Sequence, residues 1–203
     1  MKTPKNYLCI NGKKIELTKE QLKQLGIEQE PIATLSEDGK TAKVGEYEFI
    51  VLKNDGENIE LLLKGIIENI QFDSESNNFA ESSIREYLNK FADKLAGVIG
   101  EENIVKHTVD LTTDDGLKCY GSCECRVSLL TAQMYREHVY TIDEFKIDKW
   151  WWLATAYSTP KHDDNDWVVC VSPRGDIVYD GYCNYDGGVR PFCILKSNIF
   201  VSK

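Results

Sequence analysis

Three consecutive tryptophans, Trp150, Trp151 and Trp152, constrain this chain more than any other feature, because it holds only four in all. Aromatic residues favour strands. On a strand, successive side chains point to opposite faces. Trp151 and Trp152 therefore alternate, at most one of them reaches the surface, and the set reads as core or as a rigid platform. From Trp150 onward the pattern is β throughout. Strands are predicted over Trp150–Ala154, Trp167–Val171, Asp176–Tyr179 and Phe192–Leu195, with a turn at Ser172-Pro173-Arg174-Gly175-Asp176. Asp186 to Phe192 is predicted to be a tight turn entering the final strand.

Upstream, Tyr47–Leu52 and Ile59–Ile67 read as two strands joined at Asn54-Asp55-Gly56. Ser82 or Ser83 caps a predicted helix from Ile84 to about Val98. Its apolar residues Ile84, Leu88, Phe91, Leu95 and Val98 keep helical spacing, and Gly100 follows. Val105–Leu111 reads as a short strand, and Ser128–Tyr135 as an apolar segment passing into a helix. Near the N-terminus, Asn11-Gly12 between two short apolar runs signals a hairpin. Thr18-Lys19-Glu20-Gln21 has capping-box form and opens a short helix through Leu22 and Leu25, ended by Gly26. This piece is basic and the remainder acidic, which sets it apart as a module too small to hold its own core. The expected organisation is an N-terminal hairpin-helix module over residues 1–30, a polar linker over 31–45 and one α+β domain over 46–203.

A net charge of −9 argues against a binder of nucleic-acid backbone, which carries a basic face. Self-repulsion that keeps the chain soluble accounts for the charge. No apolar run approaches the roughly 18 residues of a spanning helix, so no membrane insertion is expected. No apolar stretch follows Met1-Lys2-Thr3-Pro4-Lys5-Asn6, so a cytoplasmic product is expected, with later release in a virion left open. Seven cysteines, an odd number without an export signal, point to reduced thiols.

The polar stretch between the tryptophans and the final strand supplies the candidate ligand surface. It comprises Tyr157, Ser158, His162, Asp163, Asp164, Asn165, Asp166, Trp167, Tyr179, Asp180, Tyr182, Asn184, Tyr185 and Asp186. Tyrosine offers rigid amphipathic area at low entropic cost, and Asn, Ser and Asp adapt their hydrogen bonds, the composition of antibody-like binding surfaces. Trp151, Trp152, Gly188, Arg190 and Pro191 are read as structural, with Arg190 a buried guanidinium bonded to backbone or to an acid such as Asp186. Calcium at His162-Asp163-Asp164-Asn165-Asp166 is a second candidate, although the spacing is not that of an EF-hand and a solvated acidic loop is the favoured reading. Cys119, Cys123 and Cys125 with His107 or His138 offer zinc ligands, but the usual paired spacing is missing and structural thiols are favoured. No cofactor is therefore expected. No phosphate loop, HExxH, GxSxG or Ser-His-Asp signature is present.

Taken in order, Asn78-Phe79-Ala80-Glu81-Ser82-Ser83-Ile84-Arg85-Glu86-Tyr87-Leu88-Asn89, Ser128 to Tyr135, Trp151-Trp152-Leu153-Ala154-Thr155-Ala156, Val168 to Gly175 and Gly188-Val189-Arg190-Pro191 resemble a domain family of unknown function common in gut Firmicutes and their phages. The family's Arg-Ser-Pro after the tryptophans is Ala154-Thr155-Ala156 here. The resemblance covers roughly residues 45–196. That family is in turn similar to the C-type-lectin-like fold of formylglycine-generating enzymes and of the variable proteins of diversity-generating retroelements. The resemblance implies a C-type-lectin-like fold with a mixed or antiparallel sheet and two helices. It also implies a hypervariable ligand surface just before the final strand. The expected function is non-catalytic recognition of a protein or glycan on a host or target cell, with the N-terminal module as a tether to a larger assembly. The alternatives are a metal- or thiol-dependent enzyme of the formylglycine-generating type, using Cys193 with Cys183 or Cys170, and an acidic phage inhibitor of a host nucleic-acid enzyme.

Overall fold

The computed structural model describes residues 7–10, 13–18, 21, 24–25, 31–139 and 146–202. At the N-terminal end, β1 (Tyr7–Ile10) pairs antiparallel with β2 (Lys13–Glu16) as an isolated two-stranded ribbon. The Thr18 hydroxyl accepts from the Gln21 amide, and the Gln21 side chain accepts from the Thr18 amide. This reciprocal exchange is a capping box. Asn11, Gly12, Leu22 and Gly26 lie outside the described residues.

The main body is α+β, with two sheets and, among the described residues, two α-helices of more than one turn. The larger sheet contains β3 (Ala33–Leu35), β4 (Thr41–Val44), β5 (Tyr47–Asn54), β6 (Asn58–Leu63) and β16 (Phe192–Lys196). They lie in the order β16-β6-β5-β4-β3, each pair antiparallel. Two short strands, β8 (Ile104–Val105) and β11 (Val127–Ser128), add to β16, and β17 (Val201–Ser202) runs parallel to β3.

The smaller sheet has the order β14-β13-β12-β15-β7. Its strands are β7 (Glu68–Gln71), β12 (Trp151–Ala156), β13 (Trp167–Val171), β14 (Ile177–Tyr182) and β15 (Asp186–Val189). A separate ribbon pairs β9 (His107–Asp110) with β10 (Ser122–Cys125).

Two sequence expectations are corrected. The stretch expected to be a linker, residues 31–45, holds the β3–β4 hairpin of the larger sheet. Its polarity misleads because Thr41 and Lys43 alternate with the buried Ala42 and Val44. Asp38-Gly39 is the hairpin turn. Asp38 accepts from the Ser36 hydroxyl and the Lys40 amide, and Gly39 has φ +69°. The second correction concerns Asp186 to Val189, expected as a turn. It is β15, pairing antiparallel with β7 and meeting β12 in parallel at Trp151 and Gly188.

The first helix, α1 (Ser83–Ile99), starts at Ser82, whose hydroxyl accepts from the Arg85 amide. It stops at Gly100, which takes φ +89°. Ile84, Leu88, Phe91, Ala92 and Leu95 bury one face. The second, α2 (Ala132–His138), is capped by Thr131 and buries Ala132 and Tyr135.

All six residues of β12 are buried, so the strand feeds a core on each side. Trp152 and Ala154 join Val168 and Cys170 in the core that contains the α1 face. Trp151 and Leu153 join Val169, Val171, Leu62, Phe192 and Tyr135 in the other. Arg190 closes the second core. Its guanidinium lies 4.7 Å from the Trp151 ring centre and donates from Nε to the Leu63 carbonyl and from Nη2 to the Lys64 carbonyl. Burial lowers its pKa to about 10, so it stays charged at neutral pH.

Gly188 is required where β15 approaches β12. A Cβ there would stand 2.9 Å from the Trp150 carbonyl oxygen and 2.4 Å from the Ile66 side chain. Pro191 is also buried, and its carbonyl accepts from the Leu63 amide.

Candidate functional site

The end of the smaller sheet carrying β12, β13 and β14 presents the aromatic side chains. Pairing between β12 and β13 shifts register between Trp152 and Ala156, and pairing between β13 and β14 shifts between Val168 and Cys170. Such irregularities increase local twist and re-aim side chains. Beyond them the chain turns outward. Of the eight large hydrophobic side chains exposed among the described residues, four are Tyr157, Trp167, Tyr179 and Tyr185.

These four form one surface. Tyr157 and Tyr179 have ring centres 6.0 Å apart. Trp167 meets Tyr182 edge-on at 5.0 Å, and Tyr182 meets Tyr185 at 5.7 Å. A shallow open groove of about 550 Å³ joins the two groups, lined by Tyr157, Trp167, Ile177, Val178, Tyr179 and Asp180. Exposed Asn165, Asn184 and Asp163 lie on the loops that continue from these strands, and exposed Asp186 opens β15.

The loop from Ser158 to Asp166 is held from beneath. Asn77 is fully buried, and its amide nitrogen donates to the carbonyls of Ser158 and Trp167. The Tyr120 hydroxyl donates to the Asn77 side-chain oxygen, and the Asn77 amide donates to the Asn165 carbonyl. Asp164 accepts from the amides of Asp166 and Trp167, folding the loop tip on itself. Asp166 accepts from the Tyr182 hydroxyl, which raises the Tyr182 pKa and fixes that ring between Trp167 and Tyr185.

Asp115 forms a second anchor. It accepts from the Ser158 hydroxyl at 2.6 Å and from the Thr113 hydroxyl, and it lies 2.9 Å from His162 Nδ1. The two hydroxyls, with the His162 ring, hold its carboxyl far below the usual carboxylate range. Arg136 on α2 pairs with Asp114 at 2.6 Å and so ties the segment that carries Asp115 to that helix.

No family model, curated protein or solved structure matches this chain. The geometry therefore carries the reading of the site.

The structure gathers Tyr157, Trp167, Tyr179, Tyr182 and Tyr185 and leaves His162, Asn165 and Asn184 exposed beside them. Ser158, expected on the surface, is instead 3% exposed and committed to Asp115. It lies two residues beyond the buried Ala156 that ends β12, with the exposed Tyr157 between them, so continued alternation turns its side chain inward. Ser158, Asp115 and His162 lie together, yet the serine donates to the carboxylate and not to the imidazole. A triad nucleophile needs the imidazole.

Asp164 and Asp166 are each engaged in hydrogen bonds that shape the loop. Among the described residues no three His, Cys, Asp or Glu side chains converge as metal ligands. Cys193 is fully enclosed in β16, and burial pushes its thiol up to about 12, opposite to the activation a thiol enzyme needs.

Asn77, Asp115 and Tyr120 escaped sequence reasoning because each lies about 40 residues or more from the loop it supports. The one local signal was Asn77-Asn78 just before a helix cap, which reads equally as ordinary loop sequence.

The Asp115 anchor gives a pH prediction. Its folded pKa is depressed, so its stabilisation is fully present above the ordinary carboxyl value of about 3.9 and is lost as pH falls toward the folded value. Asp115→Ala is expected to lower the melting temperature at neutral pH, and the gap to wild type should narrow steadily below about pH 4. A gap independent of pH in thermal melts would rule out the carboxylate as its source.

Proposed function

We propose that this chain is a non-catalytic recognition domain that takes a protein or glycan ligand on the surface formed by Tyr157, Trp167, Tyr179, Tyr182 and Tyr185. The observation that carries this reading is the concentration of exposed aromatic area over one groove, on strand ends and loops fixed by buried Asn77. Soluble chains rarely gather such side chains without a partner. Rigid tyrosines over a fixed frame supply contact area with little ordering cost.

Asp163, Asp180 and Asp186 lie exposed around the aromatics. The surface suits a neutral or basic partner and disfavours nucleic acid. No helix among the described residues is long and apolar enough to cross a membrane.

The proposal includes a C-type-lectin-like fold, as the ordered motifs imply, and a surface of the variable type carried by a phage or mobile element. Support for the fold lies in the mostly antiparallel sheets, the two helices and the location of the surface in the stretch that precedes β15 and β16.

Affinity capture from cell-surface extracts and on glycan arrays tests the reading. Wild type is compared with a Tyr157→Ala/Tyr179→Ala double variant matched in melting temperature. A partner retained by wild type and lost by the variant is the expected result. A partner held equally by both removes the aromatic surface from consideration.

A further inference from the structure

A second chemical feature lies apart from the aromatic surface. The β9–β10 ribbon belongs to neither large sheet. On β10, Cys123 sits opposite Val109 and Cys125 opposite His107. Residues two apart on a strand share a face, and the two Sγ atoms are 3.7 Å apart. In an extended strand the Cα atoms of such residues are roughly 6.6 Å apart. That separation lies at the upper end of the Cα range a disulfide accepts, so closure needs a local bend of β10 that brings the two Cβ atoms together.

Arg85, in the first turn of α1, is fastened over this strand. Its Nη1 donates to the Ala80 carbonyl at 2.6 Å, and its Nη2 donates to the carbonyl of Glu124, the residue between the two cysteines. Its Nε is buried without a nitrogen or oxygen partner. A buried donor left over on a guanidinium that acts on the Cys125 sulfur fits a thiolate acceptor.

We propose that Cys123 and Cys125 form a redox-active dithiol that exchanges with small-molecule disulfides of the glutathione class, closing a reversible bridge on β10.

The electrostatics support this assignment. Hydrogen bonding from the Cys123 thiol, and then the Arg85 guanidinium, lower the Cys125 thiol to about 7. Hydrogen bonding to Cys125, followed by burial, raises Cys123. The pair thus holds one proton between two sulfurs near neutral pH. The other buried thiols differ: burial raises Cys170, takes Cys183 to about 11 and takes Cys193 to about 12.

Cys123 is the sulfur that solvent reaches, being half-buried where Cys125 is enclosed. At rest Arg85 favours the thiolate on Cys125; for attack the proton crosses the Cys123–Cys125 hydrogen bond to Cys125, and the Cys123 thiolate so formed attacks one sulfur of the disulfide RSSR. The S–S bond breaks, RS⁻ leaves with its electron pair, and a mixed disulfide forms on Cys123. The leaving thiolate takes the proton from Cys125. The Cys125 thiolate then attacks the Cys123 sulfur and expels the second RS⁻, which takes up a proton from solvent. Two protein sulfurs are oxidised by two electrons in all, and RSSR is reduced to two thiols.

The test uses the full chain with its exposed cysteines replaced, Cys9→Ser and Cys119→Ser, incubated with oxidised glutathione. Intact mass is expected to fall by two hydrogen atoms, with no glutathione retained. Peptide mapping should place the bridge between Cys123 and Cys125, and dithiothreitol should reverse it. Adding Cys125→Ser should stop the reaction at a glutathione adduct on Cys123. Arg85→Gln should slow closure about tenfold at pH 7, with the two rates converging above pH 9, where the thiolate forms without help. An unchanged mass, a stable adduct with both cysteines present, or a bridge mapped to any other pair would overturn the proposal.

Discussion

Trp152→Ala is expected to lower the folding free energy by about 3–5 kcal/mol, the usual range for deleting a large buried aromatic. That is a large share of the roughly 5–15 kcal/mol that holds a domain together. The indole is wholly enclosed and packs edge-on against Phe72 at 5.6 Å and Trp150 at 4.7 Å. Its Nε1 donates to the Ile70 carbonyl on β7. Truncation opens a cavity and withdraws that bond. Two glycines are matched to the ring: a Cβ on Gly181 would lie 2.7 Å from it and a Cβ on Gly187 2.6 Å from it. Trp152 therefore spans from β14 to β15 and fixes the strand that carries Tyr179 and Tyr182. Urea unfolding measures the loss. Tyr185→Ala, at an exposed position, should change stability by less than about 0.5 kcal/mol. Equal losses in the two variants would contradict the assignment of Trp152 to the core.

Arg190→Met is expected to cost about 3–5 kcal/mol although it replaces a charge with an apolar chain of similar length. The hydrophobic substitution suits the burial, but it strips donors from the Leu63 and Lys64 carbonyls. The buried Leu63 carbonyl left without this partner costs about 1–3 kcal/mol, the part-buried Lys64 carbonyl adds a smaller cost, and the stacking on Trp151 is lost as well. Arg190→Lys keeps the charge but is a point donor that cannot reproduce the planar fork. It should recover less than half of the loss. Denaturant melts of the three proteins decide the matter. A fully restored Lys variant would show that charge alone matters.

The parts legible in the sequence were those with local causes. Trp151 and Trp152 announced a buried strand because two indoles on alternate faces need cover on both sides. Ser82 and Gly100 bounded α1 because cap chemistry is local. The aromatic surface was legible as composition, since five aromatic residues fall within 29 positions, from Tyr157 to Tyr185. Its support was not. Asn77 and Asp115 act through contacts across 81 and 43 positions that no window along the chain contains. The β3–β4 hairpin was hidden by short strands whose inward residues are small, Ala33 and Ala42. Strand β15 was hidden by Gly187 and Gly188, which signal a turn but here admit Trp150, Trp152 and Ile66 against the backbone.

Equilibrium titration of the captured partner tests the proposed recognition surface most directly. Dissociation constants are compared for wild type, Tyr157→Ala, Trp167→Ala and Tyr179→Ala, and for Lys43→Ala on the exposed side of β4 as a remote control. At least one aromatic truncation should weaken binding by about tenfold or more, as a central aromatic contact does, while Lys43→Ala stays within about twofold of wild type. Unchanged affinity in all three aromatic variants would contradict the assignment of ligand recognition to this surface.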